Sequence, residues 1–231
     1  MAQGGAGRAY FTIDAGPAFL QDSETGNLDL QTAFAELPDR SPGDEIEFDP
    51  GIRFGLHGGY RLLDFLSVEL ESGVIWNSVD RLGGLGAGSH FSESSPDAMI
   101  TGTWYEDADL FQIPILVNLQ YDFSFAHRWS AYVAGGVGAI LGVFRLGEGN
   151  TRVSGDAVLD VTEREADEDL DVVFGYQAKA GVRFAIDVSS DIDLSYKFLG
   201  TTGYDWELDG DRLRTHPLRN HAITLSYTFR F

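Results

Sequence analysis

The sequence predicts an all-β chain folded as a transmembrane, up-and-down antiparallel barrel of eight strands, and three observations predict it. Eight segments alternate with period two, each with one face almost wholly apolar. Short and long connections between those segments alternate without exception. The polar face carries acids and bases in near balance, whereas a water-soluble barrel hides its apolar face and turns its charges outward.

The first segment spans 8–20, with Ala9, Phe11, Ile13 and Ala15 on one face and Tyr10, Thr12 and Asp14 on the other. The second spans 46–60, where Ile46, Phe48, Ile52, Phe54, Leu56 and Tyr60 oppose Glu47, Asp49, Arg53 and His57. The third, 65–76, sets Leu66, Val68, Leu70, Val74 and Trp76 against Ser67, Glu69 and Glu71. In the fourth, 110–121, Phe111, Ile113, Ile115, Val117, Leu119 and Tyr121 oppose Gln112, Pro114, Asn118 and Gln120. Pro114 cannot donate to a ladder, so a local bulge is expected there. The fifth, 129–144, opposes Trp129, Val133, Val137 and Leu141 to Tyr132, Gly136, Gly138 and Gly142. The sixth, 172–186, opposes Phe174, Tyr176, Val182 and Phe184 to Gln177, Lys179 and Arg183. The seventh, 192–200, sets Ile192, Leu194, Tyr196 and Phe198 against Asp193, Ser195 and Lys197. The eighth, 220–231, sets Ile223, Leu225, Tyr227, Phe229 and Phe231 against Thr224, Ser226, Thr228 and Arg230.

Stretches 61–64, 122–128 and 187–191 read as tight turns, and 21–45, 77–109, 145–171 and 201–219 as long loops. This puts every loop at one rim and both termini at the other, with 1–7 as an N-terminal extension. Mildly strand-like stretches at 99–104 and 158–161 leave ten strands as an alternative.

Composition sets further bounds. The 231 residues suit a single domain, and no apolar run reaches the length of a membrane helix. A net charge of -20 excludes nucleic acid as a partner. The absence of cysteine removes disulfides, thiolate metal sites and a Cys nucleophile, and nothing calls for a cofactor or a resident metal. The first residues carry neither a basic start nor an apolar core, so a mature form with an added or retained Met1 is expected.

Charged inward faces define the first candidate site. Glu47, Arg53, Glu69, Glu71, Lys179, Arg183, Asp193, Lys197 and Arg230, with Asp14, are expected to form an ion network in the lumen. The network reads as a salt-bridged plug in preference to an ion path, because eight strands leave an interior just wide enough for side chains to fill. Inward glycines such as Gly55, Gly59, Gly142 and Gly181 leave a cavity or make room for large neighbours, and His57 is expected to fill lumen space. Tyr60, Tyr121 and Trp129 beside the short turns, and Trp76, Trp104 and Trp206 beside the long loops, are expected to form two aromatic girdles.

The long loops hold 26 of the 36 acidic residues and 8 of the 16 basic ones. A solvated acidic coat is the preferred reading, with divalent cations or a basic partner as alternatives; the spacing fits no EF-hand. His90, Ser92 and Glu93 lie together in one loop, but nothing orients the imidazole, so no catalytic activity is expected.

The last strand, Ile223-Thr-Leu-Ser-Tyr227-Thr-Phe229-Arg-Phe231, resembles the carboxy-terminal signal of bacterial outer-membrane proteins. Segment 110–121 and the glycine-rich 132–140 resemble strands of small eight-stranded outer-membrane barrels of the OmpA and OmpX type. The resemblance implies residence in a Gram-negative outer membrane, with termini periplasmic and long loops extracellular. It implies contact with lipid and lipopolysaccharide, and insertion by the barrel-assembly machinery through Tyr227, Phe229 and Phe231. The function expected is structural, adhesive or surface-interacting; a narrow porin-like channel is the alternative, and a lipid A-modifying enzyme is less favoured.

Overall fold

In the computed structural model, residues 8–28, 45–82, 85–86, 101–105, 108–155, 158–164, 166–208 and 211–231 are described, and they form strands and turns with no helix. In chain order the strands are β1 (Ala9–Leu20), β2 (Ser23–Leu28), β3 (Glu45–Phe48), β4 (Gly51–Leu63), β5 (Leu66–Leu82), β6 (Leu85–Gly86), β7 (Thr101–Tyr105) and β8 (Ala108–Ser124). They continue with β9 (Trp129–Leu146), β10 (Gly149–Gly155), β11 (Val158–Arg164), β12 (Asp167–Ala185), β13 (Ser190–Thr201), β14 (Asp205–Leu208), β15 (Asp211–Thr215) and β16 (Arg219–Arg230).

Eight of these close the wall. Each is antiparallel to the next in the cycle β1-β4-β5-β8-β9-β12-β13-β16, and the ring shuts where Tyr10 pairs with Arg230. Closure leaves no strand edge in the wall, the requirement for backbone amides surrounded by hydrocarbon. Alternation then fixes what each face meets. Phe54, Leu56, Leu70, Val117, Leu119, Phe174, Leu194 and Leu225 are all more than half exposed on the outside, while their sequence neighbours are buried within.

The strands β4, β5, β8, β9, β12 and β13 meet in tight turns at one end. In the last of these turns the amide of Ser189 donates to Asp187, 2.8 Å away, and this holds the exposed Asp187 carboxyl below its usual range. At the other end the wall strands run on past the expected loop boundaries, and the described parts of the long connections form further strands. β14, β15, β2 and β3 pair in sequence onto the tip of β5, and β7, β10 and β11 form a separate three-stranded sheet. The strand-like residues 101–104 and 158–161 therefore belong to β7 and β11, and the wall keeps eight strands.

Two local expectations are corrected. The segment 46–60 is broken, because Asp49 and Pro50 separate β3 from β4 and β3 leaves the wall to pair with β2 and β5. Ile46, grouped by alternation with the outward Ile52 and Phe54, is consequently fully buried. Pro114 causes no bulge. The β5–β8 ladder lacks pairs at Pro114 and Ile113, then resumes in the same register from Gln112 to Ile75. Its other edge pairs normally, Pro114 opposite Ile140. A missing N–H thus costs one local gap and leaves the strand alignment intact.

The same device recurs at Gly16 and Pro17, where the β1–β16 ladder skips between Ala15↔Leu225 and Ala18↔Ala222. A Cβ on Gly16 would lie 1.9 Å from the carbonyl oxygen of Ile223. Gly16→Ala is expected to destabilise the barrel by about 1–3 kcal/mol, the usual cost of overpacking a rigid contact. Urea unfolding in lipid vesicles, followed by the loss of the compact gel-mobility form, checks it; an unchanged midpoint contradicts it.

Candidate functional site

The lumen has two storeys. Toward the tight turns the inward residues are charged, amide-bearing or hydroxylated; toward the long connections they are mainly apolar, with Leu110, Leu116, Ile140, Phe144, Leu199 and Ala222 buried beside the neutral polar Asn77, Gln112, Thr201 and Asn220. The apolar storey was not anticipated. Ile140 and Phe144 share the alternation of Gly138 and Gly142, and Ile75 that of Glu71, so parity was sound and residue type changed along the strand.

Glu71 on β5 is the hub of the charged storey. One oxygen is ion-paired to Arg53 from β4, and Lys197 from β13 lies 3.3 Å from it. The other accepts from Asn118 Nδ2 on β8 and Gln177 Nε2 on β12, each at 2.7 Å. His57 on β4 has one ring nitrogen bonded to Asp14 and the other 3.3 Å from Glu71. Lys197 donates to Asp14 at 2.8 Å, so five wall strands besides β5 converge on one carboxylate pair. One level toward the turns, Glu69 pairs with Lys179 and accepts from Tyr10 Oη at 2.8 Å. Below that, Asp193 accepts from Tyr132 Oη at 2.7 Å and Ser226 Oγ at 3.1 Å. Arg183 lies 2.9 Å from Asp122 and 4.9 Å above the Tyr132 ring, and Arg230 pairs with Asp191. Gly181 admits the Tyr132 ring, since a Cβ there would sit 2.7 Å from it. Between these levels remains a polar cavity of about 10 Å³, room for one water, bordered by Thr12, His57, Glu69, Gln120, Lys179 and Asp193.

Of the residues singled out from sequence, Arg53, Glu69, Glu71, Lys179, Arg183, Asp193, Lys197 and Arg230 converge in this interior, as does Asp14. Glu47 does not. It stands on β3 opposite Arg81, and ten residues of strand separate Arg81 from Glu71 along β5, about 33 Å. The break at Pro50 that carries β3 out of the wall carries Glu47 with it. Asp122 and Asp191, which the sequence places at turn boundaries, also reach this interior; each continues the inward parity of its strand, with Gln120 and Asp193 respectively, and that parity is the sequence signal for them.

Tyr60, Trp76, Tyr121 and Trp129 are exposed on the outer face, and Trp76 donates to Asp109 at 2.9 Å. The side chain of Trp104 and the residues His90, Ser92 and Glu93 lie outside the described residues. Trp206 is corrected: it is 1 % exposed, within the barrel mouth rather than facing lipid. Its connection turns inward at Tyr204, where an apolar lumen offers more burial than the interface does. Tyr227, Phe229 and Phe231 of the last strand and its end face outward, with Tyr227 Oη donating to Ser190 at 3.1 Å. Some of the rim acidity is used within the fold: Asp171 and Asp169 accept the backbone N–H groups of Asp205 and Glu207 at 2.9 and 2.8 Å.

Asp14, His57 and Glu71 offer ligand atoms within 4.8 Å of one another. A metal ion fits this group poorly, because Lys197 and Arg53 already occupy the space between the carboxylates and neutralise them.

Residues 3–231 match the outer membrane protein beta-barrel domain family. No curated protein matches the chain in sequence. Among solved structures, the outer membrane protein OprG from Pseudomonas aeruginosa is similar at 17% identity and a TM-score of 0.54, over 98% of this chain and 99% of that one. The outer membrane protein AlkL, solved in lipid bilayers, is similar at 14% identity and a TM-score of 0.50, over 100% of this chain and 94% of that one. At such identity the likeness is one of fold.

Removing Glu71 would leave Arg53, Lys197 and Lys179, whose Nζ lies 3.4 Å from the second Glu71 oxygen, short of negative charge in a closed interior. Glu71→Ala is expected to destabilise the barrel by about 3–5 kcal/mol, and the paired Glu71→Leu/Arg53→Leu variant by clearly less. Urea titration of the refolded variants checks this; equal losses in both would contradict an ion network centred on Glu71.

Proposed function

The chain belongs to the outer membrane protein beta-barrel domain family, and from that premise we propose that it is a closed, non-catalytic barrel whose work is structural and surface-interacting. Its lumen does not conduct, and its long acidic connections meet the cell exterior. The observation that carries the reading is the filling of the interior over its whole height. Below, Glu71 is bonded from β4, β8 and β12 at once. Above, Tyr204 and Trp206 lie buried against Phe144. Eight strands enclose little more than their own side chains, and here those side chains are mutually bonded.

What remains for contact is the rim. Its acids give it a field that repels anionic lipopolysaccharide unless divalent cations bridge the two, and that attracts basic partners. Loops carrying recognition on a rigid scaffold are a common arrangement. Insertion by the barrel-assembly machinery, with Tyr227, Phe229 and Phe231 as the signal strand, belongs to the same reading.

Two measurements test it. In planar bilayers the purified protein is expected to give no unitary current steps; reproducible steps altered by Arg53→Ala would establish the narrow channel instead. In intact cells, a membrane-impermeant maleimide is expected to label Ser92→Cys and to spare Ser124→Cys at the turn end of β8. The reverse pattern would invert the proposed orientation.

A further inference from the structure

The apolar storey of the lumen is occupied by rings that enter from the connection after β13. Tyr204 and Trp206 stack in parallel, centroids 4.6 Å apart and planes at 9°. Trp206 Nε1 donates to the Gly142 carbonyl at 2.9 Å, and its ring lies 5.1 Å from that of Phe144. The Tyr204 ring rests on Gly142 itself, where a Cβ would fall 2.2 Å from Cε1. The wall therefore presents a flat seat with no side chain, shaped for a planar ring.

The inner end of this seat is polar. Gln112 and Thr201 are 1 % and 2 % exposed. Gln112 Nε2 donates to Tyr204 Oη at 3.1 Å and the Thr201 hydroxyl is the second hydrogen-bonding neighbour of that oxygen, whereas Gln112 Oε1 has no hydrogen-bond partner among the described residues. Turning the amide over exchanges its two ends and still leaves one of them unpartnered. A buried amide oxygen without a partner is uncommon, and this one lies beside a ring hydroxyl at the inner end of a largely apolar recess.

We propose that this recess is a binding site for a small phenol-like ligand, a planar ring bearing one hydroxyl, and that Tyr204 fills it from within in the closed state. The ring of the ligand takes the Gly142 seat, and its hydroxyl bonds Gln112 and Thr201. Displacing Tyr204 means lifting the β14–β15 hairpin, which is fastened to β2 by the short β15–β2 ladder, to β9 by Trp206 Nε1 on the Gly142 carbonyl, and to β12 by the amide–carboxylate bonds of Asp205 and Glu207 at the rim. Partly exposed bonds of this kind open more readily than the wall ladder. Because the internal ring competes, the affinity of the intact protein is lowered by the fraction of time the recess is vacated.

The test uses the full chain in nanodiscs, titrated calorimetrically with p-cresol and with toluene. Tyr204→Ala is expected to bind p-cresol about tenfold or more tightly than the unaltered protein does, and to prefer it to toluene by a similar factor. Adding Gln112→Leu is expected to abolish that preference. A folded Tyr204→Ala that binds p-cresol no better than the unaltered protein, or takes toluene equally well, overturns the proposal. Should Tyr204→Ala fail to fold, saturable binding of 4-fluorophenol to the unaltered protein, read by fluorine NMR and lost in Gln112→Leu, decides the matter; absence of saturable binding overturns it.

Discussion

Hydrocarbon offers a backbone amide no partner, and nearly everything in this molecule follows from that. Each wall strand must find two neighbours, so the sheet must close, and the strand that begins the wall must meet the one that ends it. Tyr10↔Arg230 through Leu20↔Asn220 is that seam. The wall even absorbs two prolines under this rule. At Pro17 and Pro114 one ladder edge skips and resumes in register, while the other edge stays paired throughout. Glycine beside the first gap lets the backbones lie closer than any side chain would allow.

Closure has a consequence for side chains. Once the outer face is given to lipid, every alternate residue is forced into a narrow lumen with little water. Six acids (Asp14, Glu69, Glu71, Asp122, Asp191 and Asp193) meet five bases (Arg53, Lys179, Arg183, Lys197 and Arg230) there, with His57 between two of the carboxylates. Burial of any one alone would cost several kcal/mol, so the set is held together by mutual need rather than by the strength of individual pairs. Neutral groups complete it: Asn118, Gln177, Tyr10, Tyr132 and Ser226 occupy lone pairs the bases do not reach. Confining the ions to the turn-side half leaves the other half free to be apolar, and hence to accept rings from a connecting segment.

The long connections are therefore not simple tethers. Their described parts extend the wall as strands, the connection after β13 turns back into the mouth at Tyr204 and Trp206, and Asp169 and Asp171 of β12 accept backbone amides of its hairpin. Acidic residues at this rim serve two purposes, fastening and field, and sequence composition alone reports only the second.

The sequence by itself determined the wall: period-two alternation named the eight strands, the alternation of short and long connections named the two rims, and the parity of Glu69, Glu71, Lys179 and Lys197 placed them within. These are properties of single strands, in which each residue's face is set by its neighbours one step away. Tertiary structure decided what depends on residues far apart. Which acid meets which base across the lumen, how Asp122 and Asp191 rejoin the interior from turn boundaries, and why Glu47 leaves it at Pro50 are all settled by register between strands. The burial of Trp206 was illegible for the same reason. An aromatic residue in an acidic loop has no periodic neighbours to fix its direction, and its place depends on an apolar chamber assembled from several strands, with Gly142 left bare to receive it.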